Sequence, residues 1–103
     1  MTWLRGHPDD YDEWAALECP DWSFEKCLPT FNSVERCAYG DPTFRGRNGP
    51  VGVSRVEVLS PINTAFLDAG REAGLPATDD PNGDTPEGFC RFDMSVADGL
   101  RPS

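Results

Sequence analysis

Between residues 5 and 35 the chain reads RGHPDDYDEWAALECPDWSFEKCLPTFNSVE, which contains two helix starts in succession. In the first, Asp10 can act as the N-cap with Glu13 three positions later, so two carboxylates face the positive end of the helix dipole. In the second, Ser23 caps a segment whose apolar residues recur at helical spacing, and Pro29 inside it predicts a kink. The two apolar stripes predict a pair of short helices that pack together.

A third helix begins at Ser60, because a hydroxyl cap followed by Pro61 is a typical helix start. Gly74 and Pro76 end it. Gly70 inside the helix costs about 1 kcal/mol relative to alanine, which indicates either close packing at that position or simple tolerance. We expect the apolar face of this helix to be buried; its members are Ile62, Ala65, Phe66, Ala69 and Ala73.

Short strands account for most of the remaining apolar residues. Val51 and Val53 mark one strand, and the alternation from Phe89 to Val96 predicts a second, half-buried strand with Asp93 on its polar face. Asp98-Gly99 predicts a tight turn, but four residues follow it, so we expect the partner element to lie outside these 103 residues. The pattern predicts an α+β fold of three short helices with two or three antiparallel strands.

The loop from residue 36 to residue 49 is polar and rich in glycine, which predicts a surface connection. Arg45, Arg47 and Arg55 form a local basic cluster near its end. Such a cluster can hold a phosphate or a carboxylate, but solvated loop arginines are commoner and are the expectation here.

The acidic loop from Ala77 to Gly88 consists of turn-forming residues throughout. Its alternating acidic and amide residues invite a calcium interpretation, but Thr85 stands where the EF-hand pattern needs glycine and Arg91 where it needs the bidentate glutamate. We expect no metal site, and a structural turn in which Asp80 and Asp84 behave as surface residues.

Composition excludes several classes of partner. With 18 acidic and 9 basic residues the formal charge is −9, which disfavours nucleic acid and anionic membranes. The sequence has no apolar run near the roughly 20 residues that span a bilayer and no signal-peptide pattern, so a cytoplasmic location is expected. The four cysteines form no Cys-x-x-Cys pair and the chain has one histidine, so ordinary thiols are expected at Cys19, Cys27, Cys37 and Cys90.

Many short motifs follow one another over nearly the whole chain. They are Arg5-Gly6-His7-Pro8, Asp10-Tyr11-Asp12, Trp14, Pro20, Trp22-Ser23-Phe24, Leu28-Pro29, Phe31, Glu35, Gly49-Pro50-Val51, Val53-Ser54, Ala65-Phe66-Leu67, Ala73-Gly74, Thr78-Asp79-Asp80, Asn82-Gly83, Glu87-Gly88-Phe89 and residues 98–103. In order and spacing this set resembles the glucose–methanol–choline (GMC) oxidoreductases, FAD-dependent alcohol oxidoreductases, in their choline-dehydrogenase-like branch.

The resemblance implies hydride transfer from the carbon of a small-molecule alcohol to FAD in the parent enzyme, with a distant histidine as base. It places residues 1–36 among helices at the flavin edge and residues 37–103 in part of the substrate-binding domain. Met1, Thr2 and Trp3 match the residues that close the flavin-covering loop and are the cofactor-binding candidates, although Trp3 is equally open to a role as a core aromatic.

The rest of the machinery of that family has no match in this sequence. No Gly-x-Gly-x-x-Gly turn precedes a helix, so we expect the chain alone to bind FAD weakly and to be inactive. His7 precedes a helix and is expected to hydrogen-bond locally, so no catalytic residue is assigned. The alternative is a stand-alone acidic protein-interaction module; an upstream reading frame with the glycine-rich turn would favour the enzyme.

The sequence departs from the family pattern in the turn between the first two helices. Glu18-Cys19 and Asp21 stand where the family usually has Gly-Asn and Gly. If the glycine replaced by Asp21 required a positive φ, this turn would be strained at that residue.

Overall fold

The computed structural model of the chain describes residues 1–101. Its regular elements are β1 (Thr2–Trp3), α1 (Pro8–Ala16), α2 (Phe24–Val34), β2 (Glu35–Cys37), β3 (Val51–Arg55), α3 (Pro61–Glu72) and β4 (Asp93–Met94), with one turn of 3₁₀ helix over Pro20–Trp22 between α1 and α2. The predicted α+β class and its three helices are confirmed.

The four strands form one mixed sheet in the order β1-β4-β3-β2. β4 pairs antiparallel with both neighbours, with Met94 opposite Thr2 on one side and Ser54 on the other. β2 and β3 are parallel, with Glu35 opposite Val51. The expectation of two or three antiparallel strands was therefore wrong in strand number and in the direction of one pair, because β1 and β2, with two and three residues, are too short to give a strand signal.

The strand predicted from Phe89 to Val96 is regular over Asp93–Met94 alone. Phe89 instead pairs with the segment after α3, where its N–H donates to the Pro76 carbonyl at 2.8 Å and its carbonyl accepts from the Thr78 N–H at 3.1 Å. The predicted burial is reversed at two positions, since Asp93 is fully buried while Phe92 is 58% exposed. Tertiary pairing of the Asp93 carboxylate overrides the apolar alternation.

The helix starts follow local chemistry, with one correction. α1 begins one turn earlier than predicted: its N-cap is His7, whose Nδ1 accepts from the Asp9 N–H at 3.2 Å, and Pro8 occupies the first helical position. Proline is pre-organised for that position, so Asp10 lies inside the first turn rather than at the cap. The cap at Ser60 is confirmed by its hydroxyl, which accepts from the Asn63 N–H.

The two N-terminal helices pack as their apolar stripes predict. The Tyr11 ring lies at the centre, with ring centroids 5.3 Å from Trp14 and 5.5 Å from Phe31, both edge to face. α2 starts at its Ser23 cap without a side-chain bond, and the Phe24 N–H instead donates to an Asp12 oxygen at 3.0 Å. That bond ties the start of α2 to α1.

The predicted buried face of α3 is exposed in these residues. Ile62 is 77% and Phe66 65% exposed, although the Phe66 ring contacts Phe89 at 5.1 Å between centroids. Gly70 is the buried residue of the helix. A Cβ built on it would lie 2.7 Å from the Phe89 ring, so close packing, and not tolerance, accounts for this glycine.

The interior of the described residues is polar. Cys37 and Val53 are the buried apolar residues, whereas the largest fully buried side chains are Arg45, Glu35 and Asp93. Across residues 1–101, no helix combines the length and apolar content needed to cross a bilayer.

Candidate functional site

Arg45 lies at the centre of a buried ion-pair network that joins β2, β4 and the acidic loop. Its Nε and Nη2 donate to the two carboxylate oxygens of Glu35 at 3.1 and 2.8 Å, and its Nη1 donates to Asp93 at 2.8 Å and to Asp80 at 2.6 Å. The Gly46 N–H adds a bond to Glu35 at 2.9 Å. We call Arg45 with these three carboxylates the Arg45 network.

Two further arginines balance the three carboxylates. Arg5 bonds Glu35 at 2.9 Å, and Arg55 Nε donates to Asp93 at 3.0 Å. The Tyr39 hydroxyl donates to Asp93 at 2.9 Å, and its ring lies 4.6 Å from the Arg55 guanidinium carbon. With three cations facing three anions, the buried charges are compensated, which is the condition for their stable burial.

Burial and hydrogen bonding act in opposite directions on the pKa values of this network. Burial by itself raises the pKa of Asp93, but hydrogen bonds from Arg45 and Tyr39 outweigh it and hold that pKa below its ordinary value. Burial lowers the pKa of Arg45, yet its bonds to Glu35 and Asp93 outweigh this and raise it. Burial and the bond to Asp93 raise the pKa of Tyr39. The shifts of Arg45 and Asp93 favour the ion-paired state, and that of Tyr39 keeps its hydroxyl protonated as a donor.

The expectation that Arg45, Arg47 and Arg55 are solvated loop arginines is wrong. Arg45 is 1% exposed, and Arg47 donates to the carbonyls of Cys37 and Tyr39 at 2.6 Å each. Arginines in a loop hold structure when the fold brings carboxylates and carbonyls to them, which sequence spacing does not report. The alternative, that the cluster holds a carboxylate, is what the structure shows, and the carboxylates are the chain's own.

The acidic loop turns the chain as expected, but Asp80 is not a surface residue within it. Its carboxylate bonds Arg45, and the neighbouring Asn82 is 3% exposed. Within residues 1–101 no cluster of three or more His, Cys, Asp or Glu residues is arranged to hold a metal ion. The absence of calcium binding stays a prediction.

The candidate residues Met1, Thr2 and Trp3 lie at one edge of the sheet, where Thr2 and Trp3 form β1 and Met1 precedes it. The Trp3 indole N–H donates to Glu35 at 2.8 Å, which attaches the strand to the Arg45 network. The Met1 carbonyl accepts from the Ser95 N–H at 3.2 Å. Since backbone groups alternate along a strand, the N–H and C=O of Thr2 point away from β4, towards the open edge.

These three residues also differ in solvent exposure. Met1 is 51% exposed and Thr2 is exposed, whereas Trp3 is half-buried. The structure therefore brings the three candidates together at one edge, with Trp3 as the anchor and the first two residues open to a ligand.

His7 has the local role expected of it, as the α1 cap, and its Nε2 lies 3.5 Å from Glu87. In the part of the chain that the structure describes, all four cysteines are free thiols. The strained residue in the α1–α2 turn is Glu18, with φ of +72°, and not Asp21. Glu18 occupies the position after the helix cap, where the chain reverses, and that position is where the family's glycine is needed.

Sequence reasoning did not identify Glu35, Asn82 or Asp93 as members of a site. Each is a polar residue placed next to apolar ones, at the end of α2, in a turn and within an alternating segment. A carboxylate inside a strand pattern was the available signal for Asp93, but the pattern does not say which residue would pair with it.

The family model of the GMC oxidoreductases matches residues 1–103. The chain belongs to the GMC oxidoreductase family. It is 45% identical over 105 residues to the oxygen-dependent choline dehydrogenase of Photobacterium profundum, covering 100% of this chain and 18% of that protein. It is 42% identical over 101 residues to the mitochondrial choline dehydrogenase of Mus musculus, covering 98% of this chain and 17% of that protein.

Solved GMC-like structures share the fold. Pyridoxine 4-oxidase from Mesorbium loti superposes with a TM-score of 0.89 at 29% identity, over 98% of this chain and 20% of that one. An FAD-dependent oxidoreductase from Chaetomium thermophilum gives 0.85 at 32% identity, over 94% of this chain and 19% of that one. The chain thus spans about a fifth of the length of the proteins it matches.

Part of an FAD site fits the residues present. The exposed edge of β1 offers a backbone donor and acceptor at Thr2, beside the exposed Met1 side chain, which suits the planar, polar edge of a flavin ring. A binding site for the FAD pyrophosphate has no equivalent here, since the sequence lacks the glycine-rich turn at a helix start. The residues fit the flavin ring and not the dinucleotide as a whole.

Proposed function

We propose that this chain forms the flavin-edge portion of an FAD-dependent oxidoreductase that acts on the CH–OH group of a small alcohol. The family membership supports the reaction class, and the names of the relatives point to choline or a similar alcohol. FAD, when bound, would supply the acceptor for the hydride of the alcohol carbon. The observation that carries the role of this chain is the open edge of β1, which presents Thr2 backbone groups and the Met1 side chain.

In this proposal the chain's own residues bind and orient the flavin ring. Thr2 would donate its N–H to the flavin edge and Met1 would cover the adjacent ring surface, while the bond from Trp3 to Glu35 holds this segment in place. Residues 1–36 supply the flavin edge and residues 37–103 part of the substrate-binding domain. The two parts share the Arg45 network, since Glu35 lies in the first and Arg45, Asp80 and Asp93 in the second.

A hybrid enzyme tests the proposal. This chain replaces the matching segment of the Photobacterium profundum dehydrogenase, and FAD content and choline-dependent bleaching of the flavin are measured. Thr2→Pro removes the edge N–H while leaving the ladder to β4 intact, because proline is tolerated where the N–H faces away from the sheet. Thr2→Ala keeps the N–H and changes the side chain alone.

We expect Thr2→Pro to weaken FAD affinity by about tenfold, which corresponds to the loss of one hydrogen bond to the flavin. Thr2→Ala should weaken FAD affinity less. Equal FAD affinity in the hybrid and in its Thr2→Pro variant would contradict a flavin contact at this edge. A hybrid that folds and binds no FAD would contradict the enzyme proposal as a whole.

The second candidate, an interaction module without catalytic activity, has one observation in its favour. A cleft of about 490 Å³ between α1 and α2 is lined by aromatic rings, and Trp14 and Trp22 at its rim are 48% and 55% exposed. Such a module would fail to restore flavin bleaching in the hybrid. A cytoplasmic location also stays a prediction, since the relatives include mitochondrial proteins.

A further inference from the structure

The Asn82 side chain holds the end of β1 from a loop that is distant in sequence. Its Nδ2 donates to the Trp3 carbonyl at 3.1 Å, and its Oδ1 accepts from the Arg5 N–H at 2.8 Å. These two backbone groups flank Leu4, and they are the pair that one residue of a parallel neighbouring strand would engage. The amide side chain therefore takes the place of a strand partner for residues 3–5.

The amide is itself held in one orientation. Asn82 is 3% exposed, its N–H donates to Asp80 at 3.0 Å, and its Nδ2 lies 3.2 Å from Asp93 as a second acceptor. Asp80 and Asp93 are both bound by Arg45. Because a carboxylate can accept but not donate, Asp93 fixes which end of the amide faces Trp3.

We infer that Asn82 is the positioning residue of the flavin edge, which sets the direction in which β1 presents Met1 and Thr2. The inference rests on the proposed function for its flavin consequence. Leu4 is 57% exposed, so burial of its side chain does not fix the strand at this point. Asn82 reaches the cofactor edge through Trp3 and Arg5, and it does not touch the reacting atoms.

Two substitutions of Asn82 and one control distinguish its bond to the Trp3 carbonyl from its bond to the Arg5 N–H. Asn82→Ala removes both bonds. Asn82→Asp keeps an acceptor for the Arg5 N–H but places an oxygen against the Trp3 carbonyl and the Asp93 carboxylate, which both repel it. Asn48→Asp makes the same chemical change in an exposed loop residue and serves as the matched control for the added charge.

Amide hydrogen exchange of the full chain measures the bonds made by Asn82 without any cofactor. We expect Asn82→Ala to speed exchange of the Arg5 amide by about tenfold, while the amides of α3 exchange as before. Asn82→Asp should keep the Arg5 amide protected and shift the Trp3 indole N–H resonance. If Asn82→Ala does not fold, Asn82→Asp decides, because an unchanged Trp3 resonance in that variant overturns the inference.

The hybrid enzyme then reads the consequence for the flavin. Asn82→Asp should weaken FAD affinity by about tenfold and shift the flavin absorbance, and its buried carboxylate beside Asp93 should also lower the melting temperature, whereas Asn48→Asp should do none of these. An unchanged Arg5 exchange rate in Asn82→Ala overturns this inference alone. A faster Arg5 exchange rate with unchanged FAD affinity and flavin absorbance overturns it as well. If Thr2→Pro also leaves FAD affinity unchanged, the proposed function fails with it.

Discussion

Glu18 has a backbone conformation that glycine adopts more easily than any other residue. Its φ of +72° lies in the left-handed region, and the Cys19 N–H donates to the Trp14 carbonyl at 3.3 Å across it. This is the helix-ending turn in which the residue after the cap is usually glycine. A side chain in that conformation costs about 1–2 kcal/mol.

Replacing Glu18 with glycine should therefore stabilise the protein. After allowing for the greater freedom of glycine in the unfolded chain, we expect Glu18→Gly to raise the free energy of unfolding by about 1 kcal/mol. Urea unfolding followed by tryptophan fluorescence measures it. Asp21→Gly is the control and should give no gain, because the Asp21 φ is not left-handed and its carboxylate bonds Lys26 at 2.9 Å. A gain at Asp21 and none at Glu18 would contradict the assignment.

The Tyr39 hydroxyl should contribute to stability in a pH-dependent way. Its bond to Asp93 helps hold the Asp93 pKa below its ordinary value, so the stabilisation is present above about pH 4 and is lost as the pH falls through the folded-state pKa. Tyr39→Phe keeps the ring beside Arg55 and removes the bond. We expect it to cost about 2 kcal/mol at pH 7 and clearly less at pH 3.

Urea midpoints at both pH values check this prediction. Tyr11→Phe is the matched control, as the chain's other tyrosine, which contributes through its ring to the α1–α2 pair. A loss that is equal at pH 7 and pH 3 would show that the Tyr39 hydroxyl does not act through the charge of Asp93.

At the scale of an element, α3 shows how one contact reverses a helix propensity. Alanine in place of a helical glycine normally gains about 1 kcal/mol. Here a Cβ on Gly70 would overlap the Phe89 ring at 2.7 Å, and overpacking costs about 1–3 kcal/mol. We expect Gly70→Ala to give no gain and a net loss of about 1 kcal/mol by thermal unfolding.

A double-mutant cycle with Phe89→Leu isolates the contact. The smaller side chain should make room for the new methyl group, so that Gly70→Ala becomes stabilising in that background. Additive effects of the two substitutions would mean that α3 does not pack on Phe89 as described.

Across the whole molecule, the described residues bury little apolar surface. Cys37 and Val53 are the buried apolar residues, and large side chains such as Leu17, Val58, Ile62 and Phe66 are at least 65% exposed. The radius of gyration is 15.1 Å, against about 13 Å for a compact domain of this length. Buried ion pairs such as the Arg45 network add little net stability, because the cost of removing the charges from water can exceed their mutual attraction.

We therefore expect the isolated chain to fold marginally. Circular dichroism should show a broad thermal transition of low cooperativity, since little hydrophobic burial offsets a conformational entropy of about 1–2 kcal/mol per residue. A sharp transition above about 60 °C would instead identify an autonomous domain.

The isolated chain should also bind FAD weakly. The β1 edge offers contacts to the flavin ring alone, and the sequence has no glycine-rich turn to hold the pyrophosphate. Flavin fluorescence titration of the purified chain measures the affinity. A micromolar or tighter dissociation constant would mean that these residues hold the cofactor without the glycine-rich turn.

The sequence by itself determined the features that depend on neighbours along the chain. The helix pair, the cap at Ser60, the turn at Asp98-Gly99 and the family resemblance all follow from residues a few positions apart, and the structure and the family match agree with them. At Asp98 and Gly99 the left-handed backbone and the Ala97–Leu100 bonds form the two-residue turn that such a pair favours.

Only the tertiary structure decided which polar residues are inside. Arg45 reaches Glu35, Asp80 and Asp93, and Asn82 reaches Trp3 and Arg5, through contacts between residues separated by 10 to 79 positions. A charged residue is stable in the interior only when partners surround it, and spacing along the chain does not show which loops meet. For the same reason the open face of α3 and the buried face of β4 could not be assigned from periodicity, because periodicity identifies a face and tertiary packing decides what covers it.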